Sequence, residues 1–292
     1  MMKKRQLPWI VLFLAPAVFL FALIYVVPLV TVTVTSFFDY RAFPQRFEFS
    51  GTANYQQLFA DKNFHQAISN TIIWILLHCT LHISFGLAVA LVLYRKPFGW
   101  KGVRVSYMIP NIISNAAMAT IFLNIYNPSY GVLNSVLRWV GLEELQHNWL
   151  FNSSTAFPSV TAIWTIFAGY TTTLVLGEIL SLDPEVIEAA RVDGASGLKL
   201  DFFVVLPLVR KMIGTTVIMA ATYMLQLFDI IFITTLGGPG RRTTNLALLL
   251  YQTMIRENNY GYANSIGVLI IGLGIICMVL IQRIFRMNED DF

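Results

Sequence analysis

Long apolar blocks, separated by shorter polar segments, dominate the chain. The apolar residues follow one another without the spacing of three and four that a half-buried soluble helix shows. A helix needs about 20 apolar residues to cross a bilayer. Six blocks reach that length, at about residues 8–37, 68–94, 105–126, 157–180, 203–235 and 263–283. The pattern predicts an all-α, polytopic membrane protein with six transmembrane helices, forming one domain over residues 1–292.

The first block has some features of a signal peptide. Lys3, Lys4 and Arg5 precede it, and the small residues at 15–17 loosely imitate a cleavage site. However, the segment from Gln6 to Phe38 carries no charge, whereas the apolar region of a signal peptide has about 7–15 residues. We therefore expect the block to be a retained span.

Composition supports a membrane protein and excludes an ordinary soluble fold. Hydrophobic residues make up 56% of the chain and charged residues 12%, with a mean hydropathy of +0.64, whereas soluble domains carry about 25% charged residues. The net charge of +4 does not indicate a nucleic-acid partner, because the positive residues flank apolar blocks. Cys79 and Cys277 both lie inside such blocks, where a small buried hydrophobe is favoured over a disulfide.

The distribution of Lys and Arg predicts the orientation of the spans. Positive residues are enriched in cytoplasmic segments, and alternate segments hold 13 and 7 of the 20 Lys and Arg residues. The richer set comprises both termini, residues 95–104 and the loop 181–202. We therefore expect both termini in the cytoplasm, and the loops 38–67, 127–156 and 236–262 outside.

The outer loops are too short to capture a solute by themselves, since a separate domain needs at least about 50 residues. The loop 236–262 contains the turn-rich sequence Gly237-Gly238-Pro239-Gly240. The segment that follows, 243–254, is predicted to be a short helix on the membrane or on a partner.

The cytoplasmic loop 181–202 has strong helix-capping signals. Asp183 followed by Pro184 is typical of a helix start, and Gly194 is suited to end that helix. Ser196 can then cap a second short helix. The residues alone leave two interpretations open: a well-capped connector between spans, or a docking element for a cytoplasmic partner.

The spacing within this loop resembles the EAA motif of permeases from binding-protein-dependent ABC importers. Glu188-Ala189-Ala190 is followed by Gly194 and, ten positions later, by Val204-x-Leu206-Pro207. The one departure is Val204, where the pattern usually has isoleucine. Further matches along the chain are similar to the sugar-permease branch of that family: Asn54-Tyr55, Asn70-Thr71, Asn127-Pro128-x-Tyr130-Gly131-x-Leu133-Asn134, Phe228-Asp229, Gly237–Gly240 and Gly261-Tyr262-Ala263.

The resemblance implies a non-catalytic membrane subunit with an ABC importer permease fold. Its expected partners are a second related permease, two ATPase subunits, an extracytoplasmic solute-binding protein, membrane lipid and a sugar substrate. ATP and Mg would be bound by the ATPases, because the chain has no G-x-x-x-x-G-K-[ST] sequence. The residues that the resemblance assigns to ATPase coupling are Glu188, Ala189, Ala190, Asp193, Gly194, Leu206 and Pro207.

Polar and aromatic residues of the fourth and fifth spans are candidates for the substrate pathway, since such side chains suit sugar faces and hydroxyls. They are Tyr170, Thr172, Tyr223 and Gln226, and the neighbouring Gly169 is placed with them; ordinary helix packing is the alternative for each. Asp229 is a carboxylate near the outer end of a predicted span. We expect a gate or structural role for it and for Gly237, Gly238 and Pro239, in preference to a proton relay.

Other classes of function are less well supported. A stand-alone secondary transporter or channel is the alternative, and it predicts broken helices with ion ligands, which the sequence does not reveal. His78 and His82, four residues apart, have the spacing of a metal pair. Within a span, however, a hydrogen bond to a neighbouring helix is the commoner role.

Overall fold

The computed structural model describes residues 7–288, so Lys3, Lys4 and Arg5 lie outside the described part. Within that part, five helices are long and apolar enough to cross a membrane, and a bent pair of helices makes a sixth. These spans are Ile10–Thr35, Lys62–Tyr94, Trp100–Ile112 with Asn115–Ile125, Ala156–Ser181, Arg210–Thr234 and Tyr260–Ile284. The predicted six-span, predominantly helical architecture is confirmed.

The individual elements are mostly short, because several spans contain an irregular turn. The α-helices are Leu7–Phe21, Val27–Thr35, Ala53–Ala60, Lys62–Leu77, Ile83–Tyr94, Trp100–Ile112, Asn115–Ile125, Val132–Trp139, Ala156–Thr165, Gly169–Ser181, Pro184–Val192, Gly197–Leu200, Leu206–Leu208, Arg210–Gln226, Asp229–Thr234, Leu246–Ile255 and Tyr260–Ile284. One-turn π-helical segments are Ala22–Val26, His78–His82 and Asp201–Val205, and Glu143–Leu145 is a 3₁₀ turn. Two strands, Phe38–Arg41 and Arg46–Phe49, complete the set.

By contact, the chain forms two compact units, whereas the sequence was interpreted as one domain. One unit contains the chain up to Asp61 together with Leu249–Ile271, and the other contains Lys62–Leu248 and the segment from Gly272 onward. The candidate site described below lies entirely in the second unit.

The first unit contains a β-hairpin that the sequence analysis missed. Phe38 pairs with Phe49, and Arg41 pairs with Arg46, in antiparallel register. Stacked aromatic rings of Phe38 and Phe47, 4.5 Å apart, stabilise the pair. Asn54 fixes the start of the hairpin by donating to the carbonyl of Phe38 at 2.9 Å. Both strands, Phe-Asp-Tyr-Arg and Arg-Phe-Glu-Phe, do alternate apolar and polar residues, at the lower limit of length for a strand signal.

The third span, predicted as one continuous helix at 105–126, is bent in the structure. Two helices bent by 100° replace a single continuous one. Ile113 takes an extended conformation between them, and Ser114 starts the second helix by accepting a hydrogen bond from the Ala117 amide at 3.3 Å. The apolar composition continues through this turn, so hydropathy alone does not detect it.

The fourth and fifth spans are also interrupted, at residues 166–168 and at 227–228. The sequence does not reveal these interruptions, because the apolar composition continues through them. A break inside a membrane exposes backbone carbonyls that must find other donors. Leu227, for example, accepts a hydrogen bond from the side-chain amide of Asn245. The three breaks occur next to residues that line one cavity.

Candidate functional site

A cavity of about 310 Å³ lies among the interrupted spans of the second unit. Its wall combines aromatic rings, amides and aliphatic side chains. The lining residues are His78, His82, Pro110, Asn111, Ile113, Asn115, Met118, Ile163, Trp164, Phe167, Tyr170, Thr171, Thr216, Met219, Ala220, Tyr223 and Ile230.

The break in the fourth span shapes one wall of this cavity. Helix Ala156–Thr165 stops there, so its last carbonyls lack intrahelical partners. His82 Nδ1 lies 3.1 Å from the Trp164 carbonyl and 3.2 Å from the Thr165 carbonyl, and donates to them. The Tyr107 hydroxyl donates to the next carbonyl, Ile166, at 2.6 Å. Side chains from two other spans thus hold the irregular backbone in place.

A row of aromatic rings crosses the cavity wall from the second span to the fifth. The imidazoles of His78 and His82 stack with centroids 3.9 Å apart, and Tyr223 lies 5.5 Å from His78 on a nearly parallel plane. The Tyr223 hydroxyl donates to Asn115 Oδ1 at 2.9 Å, across to the third span. Among the described residues, no group of three or more His, Cys, Asp or Glu side chains is placed to hold a metal ion.

The predicted pathway residues separate into two groups. Tyr170 and Tyr223 line the cavity. Thr172 is buried against the second span, where its hydroxyl donates to the Gly86 carbonyl at 3.1 Å. Gly169 packs so closely on the Tyr107 carbonyl that a Cβ atom would overlap it. Gln226 is exposed and does not belong to the lining.

The sequence analysis missed several lining residues, chiefly Asn111, Asn115 and Trp164. His78 and His82 were noticed only as a possible metal pair. A buried tryptophan or a single asparagine in an apolar block carries no positional signal by itself. Only the folded chain, which brings these side chains to one cavity, identifies them.

The loop between the fourth and fifth spans has the predicted helix start and stop. Asp183 Oδ1 accepts from the Glu185 amide at 2.9 Å. Gly194 has φ of +86°; its amide donates to the Arg191 carbonyl at 3.0 Å, and the Ala195 amide donates to the Ala190 carbonyl at 2.9 Å. This pair of bonds is a complete Schellman motif, which requires a left-handed residue at the glycine position.

The second predicted cap in this loop is absent. Ser196 precedes the helix Gly197–Leu200, but its side chain makes no capping hydrogen bond. Leu206 and Pro207 form a single helical turn, Leu206–Leu208, directly before the long helix of the fifth span. These residues therefore connect the loop to the membrane helix.

The surface of the loop is a mixture of charged and apolar side chains. Glu188, Ala189 and Asp193 are exposed. Val192 is 87% and Leu198 is 68% exposed, although this is otherwise a polar connector. Val192 and Leu198 are therefore accessible aliphatic side chains within a charged segment.

An ion pair links the base of this loop to the turn after the second span. Arg95 contacts the carboxylate of Asp201 through one guanidinium nitrogen. The Asp201 side chain is 2% exposed, whereas that of Arg95 is 46% exposed. The second carboxylate oxygen of Asp201 is buried without a hydrogen-bond partner.

Comparison with known proteins assigns the family. Residues 82–287 match the binding-protein-dependent transport system inner membrane component. The sulfoquinovosyl glycerol transport system permease protein SmoG of Agrobacterium fabrum is 32% identical, over 96% of this chain and 91% of that protein. The multiple sugar-binding transport system permease protein MsmF of Streptococcus mutans is 31% identical, over 85% of each.

The fold has a close counterpart among solved structures. It superposes with a TM-score of 0.82 on a chain of a bacterial alginate ABC transporter, which was crystallised with an alginate pentasaccharide-bound periplasmic protein. The match covers 97% of this chain and 95% of the other, at 20% identity. This chain belongs to the inner-membrane permease components of binding-protein-dependent ABC transporters. It is thus a non-catalytic membrane subunit, and the alternative of a stand-alone secondary transporter or channel is not favoured.

Several residues that carried the resemblance have structural roles in the permease. Asn70 donates to the carbonyls of Arg242 at 3.0 Å and Thr244 at 2.8 Å, and Thr71 Oγ1 accepts from the Leu246 amide at 3.0 Å. These bonds attach the turn-rich segment 237–246 to the second span, and they pair backbone groups that lie outside regular helix bonds.

The Gly-Gly-Pro turn of the permease is rigidly held. Gly237 has φ of +89°, and a Cβ atom at this position would overlap the Thr244 hydroxyl. Thr243 donates to the Gly238 carbonyl at 2.9 Å, directly before Pro239. Asp229 is exposed at the first position of Asp229–Thr234, where the helix dipole favours a carboxylate. These contacts are compatible with the structural role expected for the four residues.

Proposed function

We propose that this permease forms half of the pathway by which a saccharide enters the cell, and that separate ATPase subunits drive the transport. The observation that carries the proposal is the cavity of about 310 Å³ among interrupted spans of an ABC permease. Its rings, including Trp164, Tyr170 and Tyr223, suit the apolar faces of a sugar, and the amides of Asn111 and Asn115 suit its hydroxyls. The names of SmoG, which refers to sulfoquinovosyl glycerol, and of MsmF, which refers to multiple sugars, support the same substrate class.

The proposed complex contains a second permease, two ATPases that bind ATP and Mg, and an extracytoplasmic solute-binding protein. Both termini and the loop 181–202 face the cytoplasm of the bacterial inner membrane. The ion pair between Arg95 and Asp201 supports this topology, because it joins two segments that the charge distribution places on the same side. The contact of Asn258 with the Ala42 amide similarly joins two segments expected outside.

The loop 181–202 is proposed to dock on an ATPase and to transmit its movement to the fifth span. The exposed Glu188 can accept hydrogen bonds from the ATPase, and Val192 and Leu198 provide an apolar contact. The Schellman motif at Gly194 gives the loop a fixed shape. Leu206 and Pro207 then pass the movement on, because they lie in the short turn between the π-helical segment Asp201–Val205 and the membrane helix.

Transport by the reconstituted complex tests the substrate class. Vesicles containing both permeases and the ATPases are supplied with the binding protein, ATP and labelled glucose, maltose, lactose, raffinose or glucuronate. We expect ATP-dependent accumulation of at least one of these or of a related oligosaccharide. Tyr170→Ala should reduce it, since the ring lines the cavity. Accumulation of amino acids or metal ions with no saccharide uptake would contradict the proposal.

Substitutions of Gly194 test the coupling role. A Cβ atom here would meet nothing within 4 Å in this chain, so only the left-handed backbone resists substitution, at about 1–2 kcal/mol. Gly194→Asn, which tolerates that backbone, is the control and should keep the loop shape. Gly194→Asp adds a charge as well, and should weaken ATPase co-purification more than the control does. Normal ATPase attachment and coupled uptake with Gly194→Asp would show that the loop is only a connector.

A further inference from the structure

Two ring nitrogens on the cavity wall have no hydrogen-bond partner within the protein. They are Trp164 Nε1 and His78 Nδ1, and both are shielded from solvent. Trp164 is 5% exposed and His78 is 4% exposed. A buried polar atom without a partner is destabilising, so an unpaired nitrogen on a cavity wall is a feature that requires an explanation.

The two side chains are neighbours and are held by different parts of the chain. Their ring centroids lie 4.8 Å apart, with planes inclined by 70°. The backbone of Trp164 is fixed by the hydrogen bond from His82, and the imidazole of His78 stacks between His82 and Tyr223. The rings are therefore positioned by contacts that leave these two nitrogens unused.

The chemistry of the two nitrogens restricts what can pair with them. An indole N–H is a donor only, so its partner must be an acceptor. An imidazole Nδ1 donates or accepts according to its tautomer. A hydroxyl group both donates and accepts, so a single hydroxyl can accept from Trp164 and pair with His78 in either tautomer.

We propose that Trp164 and His78 together bind one hydroxyl group of the transported saccharide and thereby contribute to its selection. The inference rests on the proposed function, because it concerns the ligand of the same cavity. Both nitrogens are covered in this conformation, so a rotation of the indole or imidazole ring must accompany binding. A site that is built to bond a hydroxyl discriminates against an analogue that lacks it, since its polar atoms are then left unpaired.

The test measures binding to the purified permease complex in nanodiscs, without the solute-binding protein. The probes are the saccharide of the panel above with the greatest uptake and its monodeoxy analogues. Trp164→Phe removes the N–H and keeps a ring, and should weaken binding of the parent saccharide about fivefold. One monodeoxy analogue should bind to the wild type at least as weakly, because it loses the bonds to both residues, and Trp164→Phe should not weaken it further.

His78→Phe should show the same pattern with the same analogue, because one hydroxyl serves both residues. Trp74→Phe is the matched control: it removes an indole N–H that donates to Thr161 at 2.8 Å, away from the cavity lining. This control should lower stability without changing the discrimination between parent and analogue. Trp164→Phe should leave the stability of the ligand-free complex unchanged or raised, since it removes an unpaired buried donor.

The outcomes separate the two proposals. If a saccharide is transported but Trp164→Phe weakens the parent and all monodeoxy analogues equally, or weakens none, the inference is wrong and the proposed function stands. If the analogue whose binding Trp164→Phe leaves unchanged differs from the analogue whose binding His78→Phe leaves unchanged, the two residues do not share one hydroxyl and the inference is wrong. If the wild-type complex transports no saccharide, the proposed function fails and the inference fails with it.

Discussion

The ion pair between Arg95 and Asp201 allows a quantitative prediction, because its two members differ in burial. Removing one partner of a buried pair costs about 3–5 kcal/mol, whereas a fully exposed pair contributes about 0–1 kcal/mol. The Asp201 side chain is 2% exposed and that of Arg95 is 46% exposed. We therefore expect Arg95→Ala to lower the free energy of unfolding by about 2 kcal/mol, between these limits.

Substitution of the acidic partner should lower the free energy of unfolding much less. Asp201→Asn removes the buried charge and keeps an oxygen that can accept a hydrogen bond from Arg95. The guanidinium of Arg95 can also be hydrated, because that side chain is partly exposed. We expect a loss below about 1 kcal/mol. In the Asp201→Asn background, Arg95→Ala should cost under about 1 kcal/mol, since no uncompensated charge remains.

Equilibrium unfolding of the purified permease in mixed detergent micelles measures these differences. Arg104→Ala is the control, because Arg104 is an exposed cation close in sequence to the same turn. If Arg95→Ala costs the same in both backgrounds, the pair is not coupled and the reasoning from burial is refuted. If Arg95→Ala lowers the free energy of unfolding by the same amount as Arg104→Ala, the buried charge of Asp201 is not stabilised by Arg95.

The remaining predictions concern topology, the pathway and the outer loop. Single cysteines that replace Ser153 and Ser196, in a background without the two native cysteines, should react with an impermeant thiol reagent from opposite sides of the membrane. If intact cells are labelled at position 196 but not at position 153, the predicted orientation is wrong. Tyr223→Ala should reduce saccharide uptake about two- to tenfold through loss of ring contacts, and Gln226→Ala should reduce it less. ATPase co-purification should be unchanged in both variants. Equal losses of uptake would contradict the distinction between a lining residue and an exposed one. Asn70→Ala should lower the free energy of unfolding by about 1–3 kcal/mol, since the buried carbonyl of Thr244 and the partly buried carbonyl of Arg242 lose a donor. An unchanged free energy of unfolding would show that water replaces the amide.

Local signals were sufficient to predict the outline of the permease. The six spans follow from apolar length, because a bilayer imposes that length on any helix that crosses it. The start of helix Pro184–Val192 and the turn at Gly194 were also predicted. Capping depends on one side chain and its own neighbours, and a left-handed turn depends on a single residue, so both are visible in the sequence.

The site required the tertiary structure. Hydropathy is insensitive to breaks, so the interruptions at 113–114, 166–168 and 227–228 were not foreseen. Tyr170 and Thr172 have comparable polar character, yet one lines the cavity and the other bonds to Gly86.

The physical reason is that long-range contacts decide what a polar residue in a span does. His82 satisfies carbonyls exposed by a break 82 residues away, while the adjacent turn leaves His78 Nδ1 without a partner. The sequence by itself determines which segments enter the membrane and where their helices are capped. Only the packing of the spans determines which polar side-chain atoms remain available for a substrate. Backbone groups inside a membrane must be hydrogen-bonded, so some side chains are used to pair with them and only the others can bind a substrate.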